Sequence, residues 1–282
     1  MQCASKGART VLVTATRGAG SGTLQGTLSA TATDGVATFT DLAHNVATNI
    51  TLAFTATGVT GTNSTSIAVS PAAADHLVFS TQPGSTTYGA ALSPQPVVKS
   101  RDAFGNDSTV GLGASQIVTL AVSTGSGALL GTSALDIGAA AGNGAVIFSG
   151  LQVSMAGTGK QLSAGTSGGL IGALSSTFDI AKASVSGSIP ANNKVYDGTT
   201  IATIATRALN GAVPGDDVSL SGGSATFASK SAGTARTVTA TGLTLSGADA
   251  GNYQLASPSA TALADITPRP PLASASGVNR VY

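Results

Sequence analysis

An internal repeat constrains the fold of this chain more than any other feature. The segment Gly20–Thr27 (GSGTLQGT) recurs as Gly125–Thr132 (GSGALLGT), and each copy follows a run of strand-forming residues. Farther along, Asp34–Phe39 (DGVATF) recurs as Asn143–Phe148 (NGAVIF), with a slightly longer spacing in the second copy. Self-similarity at a fixed period is typical of proteins built from tandem units. The chain therefore contains two copies of one unit ahead of residue 183.

A second kind of repeat begins near residue 180. Ile180–Tyr196 aligns without gaps against Ile266–Tyr282, where the chain stops. The front section of the second copy, Asp75–Gln116, has almost no counterpart in the first copy. We therefore expect the first copy to lack its opening strands. Because this leaves an unpaired sheet edge, we expect a protease to cut the first copy before the other repeats. The predicted boundaries are a truncated repeat at 1–72, a complete repeat at 73–182, a different repeat at 183–267 and the start of a further one at 268–282.

Short runs of strand-forming residues, such as Ile50–Phe54 (ITLAF), alternate with turn residues throughout. The chain has 37 glycines, and no window combines a helical period with freedom from Gly and Pro. The pairs Asp34–Gly35, Asn143–Gly144 and Asp197–Gly198 are typical of tight hairpins. Turns recur about every ten residues, the spacing found in β-sandwiches. We predict an all-β chain of tandem Ig-like β-sandwich domains in an elongated array.

The composition excludes several classes of function. Thirteen Lys and Arg balance twelve Asp and Glu for a net charge of +1, so there is no electrostatic footprint for nucleic acid or an acidic membrane. Aromatic residues make up 4% and Trp is absent, which predicts thin cores. The lone Cys3 cannot form an intrachain disulfide. No apolar run approaches the roughly 20 residues of a membrane helix, so we expect no membrane insertion.

The residues that catalysis needs are too few. His44 and His76 are the only histidines; neither lies in a triad-like motif, and with one cysteine they are too few for structural zinc. The glycines of Gly18–Gly22 and Gly125–Gly127 suggest a phosphate loop, but no helix follows them, so they predict turns. We therefore predict no enzyme, and no catalytic, cofactor-binding or metal residue.

Oxygen-rich turns are the remaining candidates for a metal. Asp102, Asn106 and Asp107 could offer oxygen ligands to Ca²⁺, but the EF-hand spacing is absent and the same residues are common in turns. We predict that the second unit folds without calcium. We interpret three further aspartates as turn residues: Asp216, Asp217 and Asp249. We interpret three tyrosines as core or corner residues: Tyr88, Tyr196 and Tyr253.

The alternation of apolar residues changes phase within Arg236–Ser246. Val238 and Ala240 occupy even positions, whereas Leu243 and Leu245 occupy odd positions. In an unbroken strand this change would turn the two leucines to solvent. We predict a β-bulge or sharp bend at Thr241–Gly242, because glycine tolerates the positive φ that such a feature needs.

Two sets of motifs carry family resemblances. Asp75–Pro83 (DHLVFSTQP) with Arg101–Asn106 (RDAFGN) resembles the Ig-like repeats of large bacterial surface proteins related to invasin- and intimin-type stalks. Lys194–Thr200 (KVYDGTT) with Gly247–Tyr253 (GADAGNY) is similar to the YDG repeat of filamentous-haemagglutinin-like adhesins. The resemblances imply Ig-like repeats at 1–182, YDG-type repeats from residue 183, and a location outside the cell, on the bacterial surface.

The expected function is a non-enzymatic stalk or adhesive segment of a large secreted surface protein, whose partners are neighbouring repeats and host or matrix glycans or proteins. Two alternatives stay open. A repeat face could itself bind a glycan or protein, with avidity from the array, or the chain could be a non-catalytic segment of a secreted polysaccharide-degrading enzyme. No cofactor is expected under any of these hypotheses. Flanking sequence would distinguish them.

Overall fold

The computed structural model describes residues 10–141 and 143–271, and the described chain is all-β. About 49% of it is strand, and its one helical element is a short 3₁₀ turn at Ala250–Asn252. No helix in the described ranges has the length and hydropathy that a membrane crossing would require. The strands pair within three groups, which we call the N-terminal unit (10–72), the middle unit (73–182) and the C-terminal unit (183–271).

The N-terminal unit has two antiparallel sheets. A four-stranded sheet has the order β2-β1-β4-β5, and β3 pairs with β6. The strands are β1 (Leu12–Arg17), β2 (Ser29–Thr31), β3 (Asn49–Ile50), β4 (Leu52–Ala56), β5 (Val59–Asn63) and β6 (Ile67–Ala68).

The middle unit places two larger sheets around one core. One sheet has the order β12-β10-β15-β17-β8 with β16 also on β15, and the other has the order β13-β9-β7; β11 pairs with β14. The strands are β7 (Ala74–Thr81), β8 (Thr86–Thr87), β9 (Val97–Asp102), β10 (Ile117–Thr124), β11 (Leu129–Leu130), β12 (Ala134–Asp136), β13 (Ala145–Ile147), β14 (Gln152–Val153), β15 (Gly157–Thr166), β16 (Ala173–Leu174) and β17 (Phe178–Ala181).

The C-terminal unit has a three-stranded sheet, β21-β18-β24, and a five-stranded sheet, β19-β25-β23-β22-β20. Only Lys182 separates β17 from β18, so one extended segment runs from the middle unit into this one. The strands are β18 (Ala183–Ser188), β19 (Lys194–Val195), β20 (Ile201–Ala202), β21 (Ala208–Asn210), β22 (Ser219–Phe227), β23 (Gly233–Ser246), β24 (Tyr253–Leu255) and β25 (Ser259–Thr267).

The internal repeat is visible in the strand pairing. Thr14 of β1 lies opposite Ser29 and Thr55, and Thr119 of β10, its equivalent in the repeat, lies opposite Ala134 and Gly165. The first two units thus share the same central strand with the same two neighbours. The second unit differs by having the additional sheet of β7, β9 and β13.

Burial is unequal between these two units. The middle unit has a core cluster that takes side chains from both of its large sheets, including Phe79 and Val98 from one and Val118 and Leu162 from the other. The C-terminal unit has two further clusters. None of the three clusters includes a residue of the described part of the N-terminal unit, which is consistent with the thin core expected there; its sensitivity to protease stays a prediction.

The expected hairpin at Asp34–Gly35 is present. Both residues have positive φ, 52° and 83°, and Thr33 and Val36 exchange backbone hydrogen bonds across them. Two positive φ angles define the type I′ turn that suits the twist of paired strands.

The phase change in β23 coincides with a glycine of positive φ, and the register with β22 does not shift. Gly242 has φ +72°, and Leu243 is buried in the core as Val238 is, with Leu245 partly buried. The pairs Thr241 with Ser224 and Leu243 with Gly222 keep one register, so the pairing of β23 with β22 contains no bulge at Thr241–Gly242. Gly222 and Gly223 across from it also have positive φ, 66° and 80°. Both strands therefore leave the extended conformation at the same level, which keeps the register.

Candidate functional site at the two joints

The described residues contain no group of three or more His, Cys, Asp or Glu that could hold a metal ion. The sequence candidates are scattered and mostly serve turns. His76 contacts the neighbouring Asp75 at 3.1 Å, and His44 contacts backbone atoms of Val46. Cys3 and the start of a fourth repeat beyond residue 271 lie outside the described residues.

The buried or partly buried polar side chains that hydrogen-bond from one unit to the next lie at two joints. The first joint connects the N-terminal and middle units, and its centre is Asp102, which is fully buried at the end of β9. One carboxylate oxygen accepts hydrogen bonds from the backbone N–H groups of Phe104 and Asn106, at 3.0 and 2.9 Å. The other accepts from the backbone N–H of Ala72 and from the Asn106 side-chain amide, both at 2.9 Å. Asp102 therefore ties the linker to the turn.

Asn106 hydrogen-bonds the turn of the middle unit to the N-terminal unit. Its side-chain oxygen accepts from the Ala47 N–H at 2.8 Å, and its amide donates to the Asn45 carbonyl at 2.9 Å. Ser108 completes the joint by donating from its hydroxyl to the Ala72 carbonyl at 2.5 Å. Both units and the linker between them thus bond to one turn.

This network explains the ionisation of Asp102 and argues against calcium at the turn. Burial alone would raise the pKa of Asp102, but the hydrogen bonds from Asn106, Ala72 and Phe104 outweigh it and hold the pKa below its ordinary value. Asp107 faces Lys99 at 2.5 Å and Arg101 at 3.0 Å instead; the Lys99 hydrogen bond is the largest cause of its lowered pKa. The oxygens of Asp102, Asn106 and Asp107 already have protein partners, so the turn is built by hydrogen bonds.

The second joint connects the middle and C-terminal units through two tyrosines and a carboxylate. The Tyr88 hydroxyl donates to Asp216 Oδ2 at 2.9 Å, and the Tyr253 hydroxyl donates to the same oxygen. The rings of Tyr88 and Tyr253 meet edge to face, with centroids 5.4 Å apart. The Val213 N–H donates to the Tyr253 hydroxyl at 3.0 Å. Tyr88 packs against core clusters of both units.

The tyrosines at the second joint are held in their neutral form. Desolvation, followed by the hydrogen bond to Asp216, raises the pKa of Tyr88 to about 12, and the same two causes raise the pKa of Tyr253. The buried Asn252 adds a further bond, since its side-chain oxygen accepts from the Ala156 N–H at 2.9 Å. The sequence pattern predicts these tyrosines in the core or at corners and Asp216 in a turn. It does not bring them together, because Tyr88 and Asp216 lie 128 positions apart in the chain.

The Lys194–Thr200 motif forms a closed turn at the edge of the five-stranded sheet. The Lys194 ammonium donates to Asp197, to Thr199 and to the Ile201 carbonyl, at 2.9 to 3.1 Å, and lies 5.5 Å from the Phe227 ring centroid. Asp197 also accepts from the Thr199 N–H and hydroxyl. These bonds, that of Lys194 first, lower the pKa of Asp197 to about 2. These hydrogen bonds stabilise the turn, so the motif has a structural role.

The repeated Gly-Ser-Gly turns each hold a cation, but from different strands. Arg17 donates to the carbonyls of Gly20 and Gly22 in the N-terminal unit. In the middle unit, Lys160 donates to the Ser126 carbonyl. Lys160 is 1% exposed, and desolvation lowers its pKa. In both turns the cation donates hydrogen bonds to backbone carbonyls of the turn, so these glycines form turns, as the sequence predicts.

Comparison with known families finds one match, a model of the YDG domain, which covers residues 180–262. No curated protein and no solved structure matches the chain. The Ig-like resemblance of 1–182 and the relation to filamentous-haemagglutinin-like adhesins therefore stay predictions. The motifs Lys194–Thr200 and Gly247–Tyr253 both lie inside the matched range. A YDG domain is therefore found at residues 180–262, a range that includes most of the C-terminal unit and contributes Asp216 and Tyr253 to the second joint, whereas Tyr88 lies outside it.

Proposed function

We propose that this chain is a non-enzymatic stalk segment of a large secreted bacterial surface protein, in which tandem Ig-like sandwiches lead into YDG repeats. Its role is to project a binding region away from the cell. The neighbouring repeats are its immediate partners, and host or matrix glycans or proteins are the targets of the whole protein.

The observation that supports this proposal is the construction of the two joints. A spacer holds its length only if the units keep a fixed orientation, and short linkers alone give a semi-rigid string. Here Asp102 and Asn106 bond the linker and both units at the first joint, and Tyr88 bonds Asp216 at the second. Two of these bonds, those of Ala72 to Asp102 and of Tyr88 to Asp216, have carboxylate acceptors, which make stronger hydrogen bonds than neutral groups.

Distance distributions between spin labels would test the rigidity that a stalk needs. Cysteines for the labels replace Ser149 and Lys230, both exposed, in a chain carrying Cys3→Ser. We expect one narrow distribution in the parent and a broad one in Asp216→Ala. Asp217→Ala is the matched control, because Asp217 bonds the Ala248 N–H within the same unit. A broad distribution in the parent would refute a rigid stalk.

Binding by the chain itself would distinguish a stalk from a binding module. The chain is applied to arrays of glycans and extracellular-matrix proteins. A pure spacer shows no saturable binding, and the adhesive contact then belongs to another region of the protein. Saturable binding that is lost on mutation of one repeat face would favour the binding module.

A further inference from the structure

The middle and C-terminal units end in the same way. In the middle unit the last strand, β17, pairs in parallel with the short strand β8, Ile180 opposite Thr86. In the C-terminal unit the last strand, β25, pairs in parallel with the short strand β19, Ile266 opposite Lys194. Both isoleucines are buried, at 2% and 1% exposed. Two units of different repeat type therefore share one terminal arrangement.

Hydrogen bonds beside the last strand extend the match. The Asp179 carboxylate of β17 accepts from the Gly159 N–H at 2.8 Å, and the Asp265 carboxylate of β25 accepts from the Ala235 N–H at 2.8 Å. In both units the last strand also pairs with a longer antiparallel strand, β15 or β23, and the register of that pairing shifts. The two ends can therefore be compared residue by residue.

The comparison places Tyr196 at the position of Tyr88. Each tyrosine directly follows the short parallel strand of its unit. The Tyr88 N–H donates to the Ala181 carbonyl of β17, and the Tyr196 N–H donates to the Thr267 carbonyl of β25, both at 2.8 Å. Beyond the tyrosine the two loops differ in sequence, so the equivalence ends there.

Tyr88 is engaged by the next unit, whereas Tyr196 is exposed. In the second joint the Tyr88 hydroxyl donates to Asp216 and its ring meets that of Tyr253 edge to face. Tyr196 is 38% exposed and belongs to none of the three core clusters of the described residues. A tyrosine offers an apolar ring and a hydroxyl that bonds when buried, which suits it to interfaces.

A second contact of the joint has an equivalent at the same end. Ala156, just before β15, donates its N–H to the buried Asn252 side chain at 2.9 Å. Ala232 has the same place just before β23, where it lines a concavity of about 250 Å³ with Ile266 and Thr267. The C-terminal unit thus offers a recess at the position where the middle unit receives an asparagine.

We propose that this end of the C-terminal unit is a docking surface for the N-terminal face of a further YDG unit, one that carries counterparts of Asp216, Asn252 and Tyr253. Tyr196 donates to the aspartate and packs its ring against the tyrosine, and the Ala232 N–H donates to the asparagine. The two motifs of a YDG unit are then the two sides of one contact between successive units. This inference rests on the proposed function, in which YDG repeats follow one another.

The partner is the next unit of the array and not a second copy of this chain. In this chain Tyr88 already occupies the face formed by Asp216, so a second copy has no free face to offer. Strand β17 leads through Lys182 alone into β18 and so delivers the next unit to its own end. Strand β25 has the equivalent position, so a unit joined after it is delivered to Tyr196.

An extended chain tests the surface. A copy of residues 197–267 is added after the full chain, because Ile266–Tyr282 aligns with Ile180–Tyr196 without gaps. In a Cys3→Ser background, spin labels replace the exposed Lys230 and its counterpart in the added unit. We expect one narrow distance distribution across this new joint.

Two matched variants assign the contact to the tyrosine. Tyr196→Phe keeps the ring and removes only the hydroxyl, so it should broaden the distribution at the new joint and leave the second joint narrow, as read from labels at Ser149 and Lys230. Tyr88→Phe should have the reverse effect. A new joint that Tyr196→Phe leaves unchanged would overturn the role of Tyr196.

Hydrogen exchange at the Ala232 amide is a second readout. Exchange should be about tenfold slower in the extended chain than in the original, the order expected for one added hydrogen bond, and the slowing should be lost when the counterpart of Asn252 is replaced by Ala. A second extended chain, in which residues 182–267 directly follow Thr267, repeats both measurements. If neither extended chain docks by these two criteria while the second joint stays narrow, this inference is wrong and the stalk stands. Broad distributions at both joints would overturn the proposed function as well.

Discussion

Replacing Asp102 with Asn removes the charge at the centre of the first joint while keeping the side-chain shape. The carboxylate accepts four hydrogen bonds, two on each oxygen. In the Asp102→Asn variant one of these oxygens becomes an amide N–H₂ group, which cannot accept, so two donors lose their partners. Each unsatisfied buried donor costs about 1–3 kcal/mol, so we expect the middle unit to lose roughly 2–6 kcal/mol of unfolding free energy.

The chain has three units, so the loss must be measured in the middle unit alone. Hydrogen exchange of β9 and β15 amides across a guanidinium series gives its free energy of unfolding. Asp107→Asn in the same turn is the control, because it breaks only solvent-exposed ion pairs, worth about 0–1 kcal/mol. If Asp102→Asn cost no more than Asp107→Asn, Asp102 would not organise the joint.

The acidity of Asp102 adds a pH signature to the same variant. Its pKa is lowered in the folded state, so the unfolded state binds more protons as the pH falls. The resulting stability is present above the unfolded pKa and is lost as the pH falls through the folded pKa. Asp102→Asn should therefore flatten part of the acid limb of the stability curve, and an unchanged acid limb would contradict the assignment.

Four more outcomes are expected. Gly242→Val should lower the unfolding free energy of the C-terminal unit by about 1–3 kcal/mol. The cause is the backbone φ of +72° alone, because an added Cβ meets no atom within 4 Å. The control Gly251→Ala should change the unfolding free energy little in the same denaturation assay. Lys160→Met should abolish the rise in stability with pH that a lowered lysine pKa produces as the pH increases toward the unfolded value of 10.5, read from melts between about pH 7 and 10. The pKa of Tyr88 is raised to about 12. The free energy that Tyr88 contributes to folding should therefore be fully present below about pH 10 and be lost as the pH rises through about 12. In Tyr88→Phe the unfolding free energy should not show this alkaline decrease. Melting curves in chelator and in millimolar calcium should coincide, and a clear rise with calcium would contradict a calcium-free middle unit.

The sequence is informative about features that short-range chemistry determines. Asp34–Gly35 favours positive φ at two adjacent positions, and the turn is there. The repeat of Gly20–Thr27 indicates equivalent strands, and β1 and β10 pair alike. The YDG motif identifies residues 180–262. In each case a few neighbouring residues carry the signal, so one segment is enough to detect it.

Features that depend on distant partners are missed. The positive φ at Gly242 is anticipated, but the unshifted register of β23 with β22 is not, because it depends on Gly222 and Gly223 in the neighbouring strand. A lysine between Gly159 and Gln161 gives no sign in the sequence that Lys160 will be buried. The joint of Tyr88 with Asp216 is invisible for the same reason, since a turn aspartate and a loop tyrosine are ordinary residues until the tertiary fold places them together.

The parallel pairing at the ends of the C-terminal unit has a mechanical consequence. Strand β19 lies near the start of the unit and pairs in parallel with β25 at its end, Lys194 opposite Ile266. Tension applied to the two ends would draw β19 and β25 in opposite directions along their own length. Hydrogen bonds between parallel strands then share the load and must rupture together, whereas a hairpin pulled from its open end unzips one bond at a time. A chain loaded in this way resists extension by shear, so its mechanical strength can exceed what its thin core would suggest.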